Sequence, residues 1–503
     1  MELYDLAVIG GGINGVGIAA DAAGRGLRVA LFEQADLGGA TSTASSKLVH
    51  GGLRYLETGE YGLVRKALKE SQLLLELAPH LIEPIDIYLP YQKHLRPWWM
   101  IRAGLFLYNH LASRPSYPTA KVQKFGEDSP LLGDLIHGFS FSDGQVDDAR
   151  LVILNACQAR RFGADVFVRH RCIKLKEDGD QWTLSVRNME SGTDQPFHAR
   201  VVVNAGGPWV SELIENVTGN PARRQVKMVK GSHIVVPATY PGEQAYMLQN
   251  EDGRIAFVIP WQGHFTMVGT TEAEFSGDPA DAEISQQEID YLLEIYNSYF
   301  SQKLSQENIV YTWSGVRPLI DNRETSATKT SRDFQLIFED ASLPLLSVYG
   351  GKLTTYRLLA ERAVDKLAEC FDDLSASRTA RDCLPGGDFA DRQQLNDEIA
   401  QKFPWLPSEI ITRWVVSYGS LAYELLADCQ EISDLGVQFG HGLTQREVDY
   451  LVEQEWARGA EDILWRRTKL GLWFDQSEKQ ELENYLTGQT RFDNPSVIPT
   501  SEG

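Results

Sequence analysis

Leu6-Ala7-Val8-Ile9-Gly10-Gly11-Gly12-Ile13-Asn14-Gly15, followed by a small-residue segment and then Arg28-Val29-Ala30-Leu31-Phe32-Glu33, decides the fold. The apolar run before Gly10 reads as a strand, and residues 16 to 26 read as a helix of small residues closed by Gly24 and Gly26. Gly10, Gly12 and Gly15 fill the three slots of G-x-G-x-x-G. The first glycine permits a tight turn. The second admits a pyrophosphate against the backbone, and the third lets helix and strand pack closely. The helix start offers free N–H groups and a positive dipole end to phosphate. Glu33 ends the second strand, where a carboxylate can accept from a ribose diol. Strand, turn, helix and acid in this order predict a dinucleotide-binding α/β domain.

The 503 residues carry a net charge of −21, which argues against nucleic acid as a partner. A hydrophobic content of 43% and a charged content of 23% are ordinary for a globular chain of two to four domains. The N-terminus leads directly into the nucleotide motif, so no signal peptide is expected, and no apolar run approaches a membrane span. Five dispersed cysteines without a C-x-x-C pattern predict reduced thiols in the cytoplasm, and the ten histidines show no metal-ligand spacing.

After Glu33 comes a Gly/Ser-rich stretch from Asp36 to Leu56, long enough to predict a ligand-lining segment. Two further glycine turns end strands, at Asn204-Ala205-Gly206-Gly207 and at Gly350-Gly351-Lys352. Residues 60 to 78 and 353 to 370 read as helices, and Pro115 to Pro130 as a loop. Ser142 to Arg150 reads as a lead-in to helix 149–162. Strands of a separate sheet are expected at Val229–Pro237, Ile255–Pro260 and Phe265–Thr271. Trp313-Ser314-Gly315-Val316-Arg317-Pro318 reads as a strand-end turn presenting an arginine. Residues 390 to 490 read as helical, with almost no strand signal. Lys93 to Leu111 and Ile463 to Phe474 combine cations with aromatics, which suits either a membrane-surface contact or a core helix with basic residues at its edge.

In this order the segments resemble aerobic, FAD-dependent glycerol-3-phosphate dehydrogenases of bacteria. The resemblance rests on Val8 to Gly15, Thr41 to Glu57, Lys230-Gly231-Ser232-His233, Ser314 to Pro318, Gly350 to Arg357 and Asp462 to Lys469. It implies a Rossmann-like FAD domain with an antiparallel-sheet substrate domain of the glycine-oxidase type, plus an all-helical C-terminal cap. The two-lobed unit would span 1–385, with FAD-binding segments near 1–75, 143–215 and 335–375 and substrate-domain segments near 76–142 and 216–334. The cap would span 386–503. The implied reaction oxidises sn-glycerol 3-phosphate to dihydroxyacetone phosphate, reduces FAD, and passes electrons to ubiquinone or menaquinone. The resemblance further implies a homodimer lying peripherally on the cytoplasmic face of the inner membrane. An oxidase that releases hydrogen peroxide is the alternative.

Such a reaction needs a base for the C2 hydroxyl and cations for the phosphate. His233 is the expected base, with Arg54 and Arg317 as phosphate and hydroxyl clamps and Arg332 as a third. Tyr55 is expected to wall the pocket, and Lys352 to meet substrate phosphate or a flavin carbonyl. The cofactor is expected on Gly10, Gly12, Ile13, Asn14, Gly15 and Glu33, then on Thr41, Ser42, Ser45, Ser46, Lys47, His50, Gly51 and Gly52. Ala205, Gly206, Gly351, Lys352, Leu353 and Thr354 complete that set, and no metal is expected.

Overall fold

The computed structural model describes residues 3–320 and 333–489, in one unit ending at Ala390 and another beginning at Asp391. The opening motif folds as strand β1 (Leu3–Ile9), helix α1 (Ile13–Gly24) and strand β2 (Val29–Glu33), the two strands parallel. Helix α1 is buried almost all round, which explains its composition. A Cβ on Gly17 would lie 2.9 Å from the Tyr356 ring, so only a small residue lets α1 approach helix Tyr356–Lys366.

The first sheet runs in the order Gln335–Phe338, Leu345–Tyr349, Asp194–Asn204, β1, β2, Asp165–Val168. From Leu345–Tyr349 to Asp165–Val168 every neighbouring pair is parallel. β1 and Leu345–Tyr349 are buried almost throughout, the expected state of central parallel strands covered on both faces.

The second sheet is mixed and has ten strands among the described residues. Its functional end is formed by Val226–Pro237, which pairs antiparallel with Phe265–Gly269 and with Tyr311–Ile320. Helix Gln286–Asn297 packs against it and opens with a capping box of Ser285 and Glu288.

Four sequence expectations change here. Trp313 to Pro318 is no turn but the interior of strand Tyr311–Ile320. Among the described residues that strand pairs only with Val226–Pro237, so Pro318 can sit in it on an edge, where no described partner needs its missing N–H. Ser142 to Val146 is the end of strand His137–Val146, whose near-complete burial erased the alternation that would have betrayed it. The expected loop at 115–130 contains the strand Lys121–Lys124, and helix 353–370 is an α-helix only over Tyr356–Lys366.

The C-terminal unit is mainly helical, with a short hairpin of Gln438–Gly440 and Leu443–Thr444 that the sequence did not signal. Its helix Ser408–Tyr418 is tied to helix Gln445–Glu455 by a buried centre in which Arg413 and the Tyr418 hydroxyl both donate to Glu447. The stretch Ile463–Phe474 is not a surface patch: Ile463, Leu464, Arg467 and Lys469 are buried, and Arg467 donates to the Glu455 carbonyl. Helix Trp98–His110 behaves oppositely, leaving Trp99 70% and Phe106 61% exposed. Among the described residues no helix is long and apolar enough to cross a membrane.

Candidate active site

Because β1, Asp194–Asn204 and Leu345–Tyr349 are parallel neighbours, their C-terminal ends lie side by side and bring the three glycine turns together. The Ala205 amide donates to the Ile9 carbonyl at 2.8 Å, and the Gly206 amide to Asn204 Oδ1. Gly10 has φ +112°, and a Cβ there would sit 2.5 Å from the Ala205 oxygen. Asn14 Nδ2 donates to the Gly350 carbonyl at 3.2 Å, and Gly351 lies against the same amide. At the start of α1, beside Gly12, the Ile13 N–H donates to Ser42 Oγ. Glu33 accepts from the Gly11 and Ala35 amides, and its burial raises the carboxyl despite those bonds.

The Gly/Ser stretch crosses from this sheet to the second one. Thr41 donates to the Val316 carbonyl at 2.6 Å, which fastens the stretch to the Arg317 strand. Lys47, expected on the cofactor, is paired within the fold. Its Nζ lies 2.8 Å from both carboxylate oxygens of buried Asp148, to which Ser45 Oγ also donates. Asp148→Ala would leave the Lys47 charge buried with no counter-charge, only the Thr43 carbonyl, and should cost about 3–5 kcal/mol of stability in chemical denaturation.

Ser46 shares a 2.9 Å hydrogen bond with His233 Nε2. The His50 amide donates to Thr354 Oγ1, next to Leu353 in the turn that follows Lys352. The Gly51 amide donates to the Tyr108 hydroxyl, which donates to Asp143, itself held by Arg114. Gly52 has φ +76° and lies under the Tyr55 ring, with Lys352 Nζ 3.8 Å from that ring's centre.

The facing wall follows from strand register. His233 is opposite Trp313, Gly231 opposite Gly315, and Val229 opposite Arg317, so all six lie on one face of the paired strands. The two facing glycines leave a gap without side chains between His233 and Arg317. The guanidinium fills part of it: a Cβ on Gly231 would lie 2.8 Å from Arg317 Nη2, which donates to Thr270 Oγ1. A Cβ on Gly315 would meet Ala44 at 2.6 Å, which shows how near the Gly/Ser stretch comes.

His233 is buried and stacked on Trp313 at 4.9 Å. Burial holds its pKa well below the ordinary imidazole value, and the nearby Arg317 and Lys47 charges push it further down. His50 is lowered to about 4 by burial and by Lys352 and Arg317. Both imidazoles are therefore neutral at neutral pH, and both sense the Arg317 charge.

The structure thus gathers His233, Arg317, His50, Ser46, Lys352 and Tyr55 around the three turns. Arg54 also lines a cavity of about 60 Å³, with Leu56, Leu89, Met100, Ile101 and Met247. Arg332 lies outside the described residues. Trp313, Thr270, Asp148 and Tyr108 were not singled out from sequence. Asp147-Asp148 before a helix reads as a cap, and only the fold sets Lys47 against Asp148.

Two observations test whether a flavin dinucleotide fits. Asn14 Oδ1 and His233 Nδ1 are buried polar atoms without a partner among the described residues, one at the turns and the other at the wall. The backbone approaches of Gly10 and Gly12, with the α1 N-terminus behind them, form the cradle a pyrophosphate needs. Comparison with known proteins agrees. Residues 5–357 match the FAD dependent oxidoreductase family, and residues 377–486 match the C-terminal domain of alpha-glycerophosphate oxidase. A glycerol-3-phosphate dehydrogenase of Pseudomonas aeruginosa is 48% identical over 97% of this chain and 96% of its own. The aerobic glycerol-3-phosphate dehydrogenase of Escherichia coli is 45% identical over 98% and 99%. The crystal structure of the Bacillus halodurans glycerol-3-phosphate dehydrogenase complexed with FAD superposes with a TM-score of 0.74, at 28% identity, covering 97% of this chain and 95% of that one. With its converged glycine turns, its neutral imidazoles and these full-length relatives, the chain belongs to the FAD dependent oxidoreductase family, among the glycerol-3-phosphate dehydrogenases, and FAD is its cofactor.

Proposed function

We propose that this chain oxidises the C2 hydroxyl of sn-glycerol 3-phosphate to the ketone of dihydroxyacetone phosphate and passes the electrons to a membrane quinone, ubiquinone or menaquinone. The observation that carries the reading is the wall on which a neutral imidazole and a guanidinium stand either side of the Gly231–Gly315 gap. FAD, when bound, supplies the two-electron acceptor for the hydride that leaves C2.

The chain's own residues do the rest. The Arg317 guanidinium, with Arg54 as the second clamp, binds the phosphate dianion through its donor fork. His233 accepts the hydroxyl proton as the C2 hydrogen departs, so that proton and hydride leave together and the carbonyl forms. The Arg317 and Lys47 charges disfavour imidazolium, which keeps His233 in its basic form before reaction. The stack on Trp313 and the bond to Ser46 hold the ring in place and keep water from it. Lys352, carried on the Gly350–Thr354 turn against Tyr55, offers a cation to negative charge that develops during the reaction. Helix Trp98–His110, with exposed Trp99, Arg102 and Phe106 following exposed Lys93, suits a peripheral contact with the cytoplasmic face of the inner membrane. A homodimer accords with the same resemblance.

Since burial depresses His233, the acid limb of the kcat/KM profile, corrected for substrate ionisation, should fall below the ordinary imidazole value of about 6.5. A limb at or above that value would remove His233 from the base role. The activity itself is tested by anaerobic mixing of the yellow protein with sn-glycerol 3-phosphate while flavin absorbance is followed. Prompt bleaching reversed by a short-chain quinone but only slowly by air supports the dehydrogenase. Fast reoxidation by air would instead make it an oxidase, and no bleaching would overturn the substrate assignment.

A further inference from the structure

The rear of the His233–Arg317 wall carries a buried polar cluster that the reaction does not use directly. Strand alternation sends Lys230 and Ser232 to the side opposite Gly231 and His233, and Ser314 to the side opposite Trp313 and Gly315. There all three meet one carboxylate or its neighbour. Ser232 Oγ and Thr271 Oγ1 both donate to Glu288 Oε1, at 2.9 and 2.7 Å. Lys230 Nζ lies 2.9 Å from Glu288 Oε2, and Ser285 donates to the same oxygen from its amide and its hydroxyl. Ser314 Oγ bonds Ser232 Oγ at 2.8 Å, which brings the Arg317 strand into the cluster.

This is more than a helix cap. A capping box needs only the Ser285–Glu288 exchange. Here the carboxylate also joins strand Val226–Pro237 to the chain that leaves strand Phe265–Gly269. The Ser232 amide donates to Thr271 Oγ1, and the Thr271 amide to the Ser232 carbonyl. Thr271 is the immediate neighbour of Thr270, whose hydroxyl accepts from Arg317. One buried carboxylate thus sets, from behind, the two pieces of backbone that hold His233 and the Arg317 guanidinium in front. Burial works against its charge, but the Lys230, Thr271 and Ser285 donors win and hold Glu288 down to about 2. The hub therefore stays anionic throughout the working pH range.

We infer that Glu288, acting through Thr271 and Ser232, is a positioning residue that sets where the Arg317 guanidinium stands relative to His233. The inference rests on the proposed reading of the wall as the substrate site. Two variants of the full-length flavoprotein test it. Thr271→Val removes one hydroxyl at constant shape. In Glu288→Gln the amide nitrogen has no lone pair, so one half of the cluster loses its acceptor. Both should keep a full complement of flavin, reducible by dithionite. Both should raise KM for sn-glycerol 3-phosphate enough to lower kcat/KM by about 10- to 100-fold, the usual consequence of displacing a positioning group by an ångström or less.

Because the effect runs through Arg317, Thr271→Val combined with Arg317→Lys should lose less than the product of the two separate losses. Wild-type KM and kcat in both variants would overturn the inference while leaving the substrate assignment standing. A fully multiplicative double variant would also overturn it, as would losses that follow flavin content or thermal midpoint, or failure of both variants to fold. Each of these would make the cluster a stability element only. If the wild-type flavin is not bleached by sn-glycerol 3-phosphate, the reading of the site fails first and the inference falls with it.

Discussion

In the Arg317→Ala protein, kcat/KM for sn-glycerol 3-phosphate should fall by roughly 10²- to 10⁴-fold while flavin stays bound. The magnitude follows from removing one partner of a hydrogen-bonded charge pair in a water-poor site, about 3–5 kcal/mol, at tenfold per 1.4 kcal/mol. The selectivity follows from position. Arg317 stands on the second sheet, against Thr270 and over Gly231, whereas the dinucleotide cradle is built on the first sheet at Gly10, Ala205 and Gly351. Truncating Arg317 also removes a positive charge that depresses both His233 and His50, so either imidazole should titrate at higher pH in the variant. Arg317→Lys should fall between the two proteins, since it keeps a charge but not the planar fork. The measurement is the visible flavin spectrum per protein, followed by anaerobic bleaching. An unchanged rate, or loss of flavin in step with loss of activity, would make Arg317 structural.

Gly15→Ala should give a nearly colourless protein. A Cβ at this position would lie 1.8 Å from the Gly10 carbonyl oxygen and 3.3 Å from the Ala205 Cβ. The first distance is far inside contact, and the obstacle is backbone that belongs to the same turn, so no rotamer change relieves it. Either the start of α1 withdraws or the Gly10 peptide rotates, and each moves the N–H groups that face a pyrophosphate. A displacement worth only about 3 kcal/mol of binding would weaken flavin more than about 100-fold. Gly62→Ala is the matched control: it lies in helix Tyr61–Leu77 with nothing within 4 Å of its Cβ direction, and should purify yellow. Flavin retained at wild-type stoichiometry in Gly15→Ala would show that the turn does not bear on the cofactor.

These two sites differ in how they could be read. Gly15 was legible because its neighbours in space are its neighbours in sequence: strand, turn, helix and second strand form one local unit, and the spacing of Gly10, Gly12, Gly15 and Glu33 is itself the geometry. The glycine turns at Ala205 and Gly350 were legible as turns, and their meeting followed once the strands proved to be parallel neighbours. Arg317 was legible as a residue but not as a place. Its Gly and Pro neighbours signalled a turn, whereas the chain continues as an edge strand that tolerates both.

The sequence by itself determined the dinucleotide motif, the family resemblance and the residue types the chemistry needs, because these are carried by contiguous spacing. Tertiary structure alone decided which side chains share a face and which are spent on one another. Register set His233 opposite Trp313 and left the Gly231–Gly315 gap beside it. Folding gave Lys47 its partner Asp148, 101 residues away in the chain, and gave Glu288 contacts beyond its own helix cap. Pairings across such distances depend on how two sheets close on each other, and that closure is recorded in no local pattern of residues.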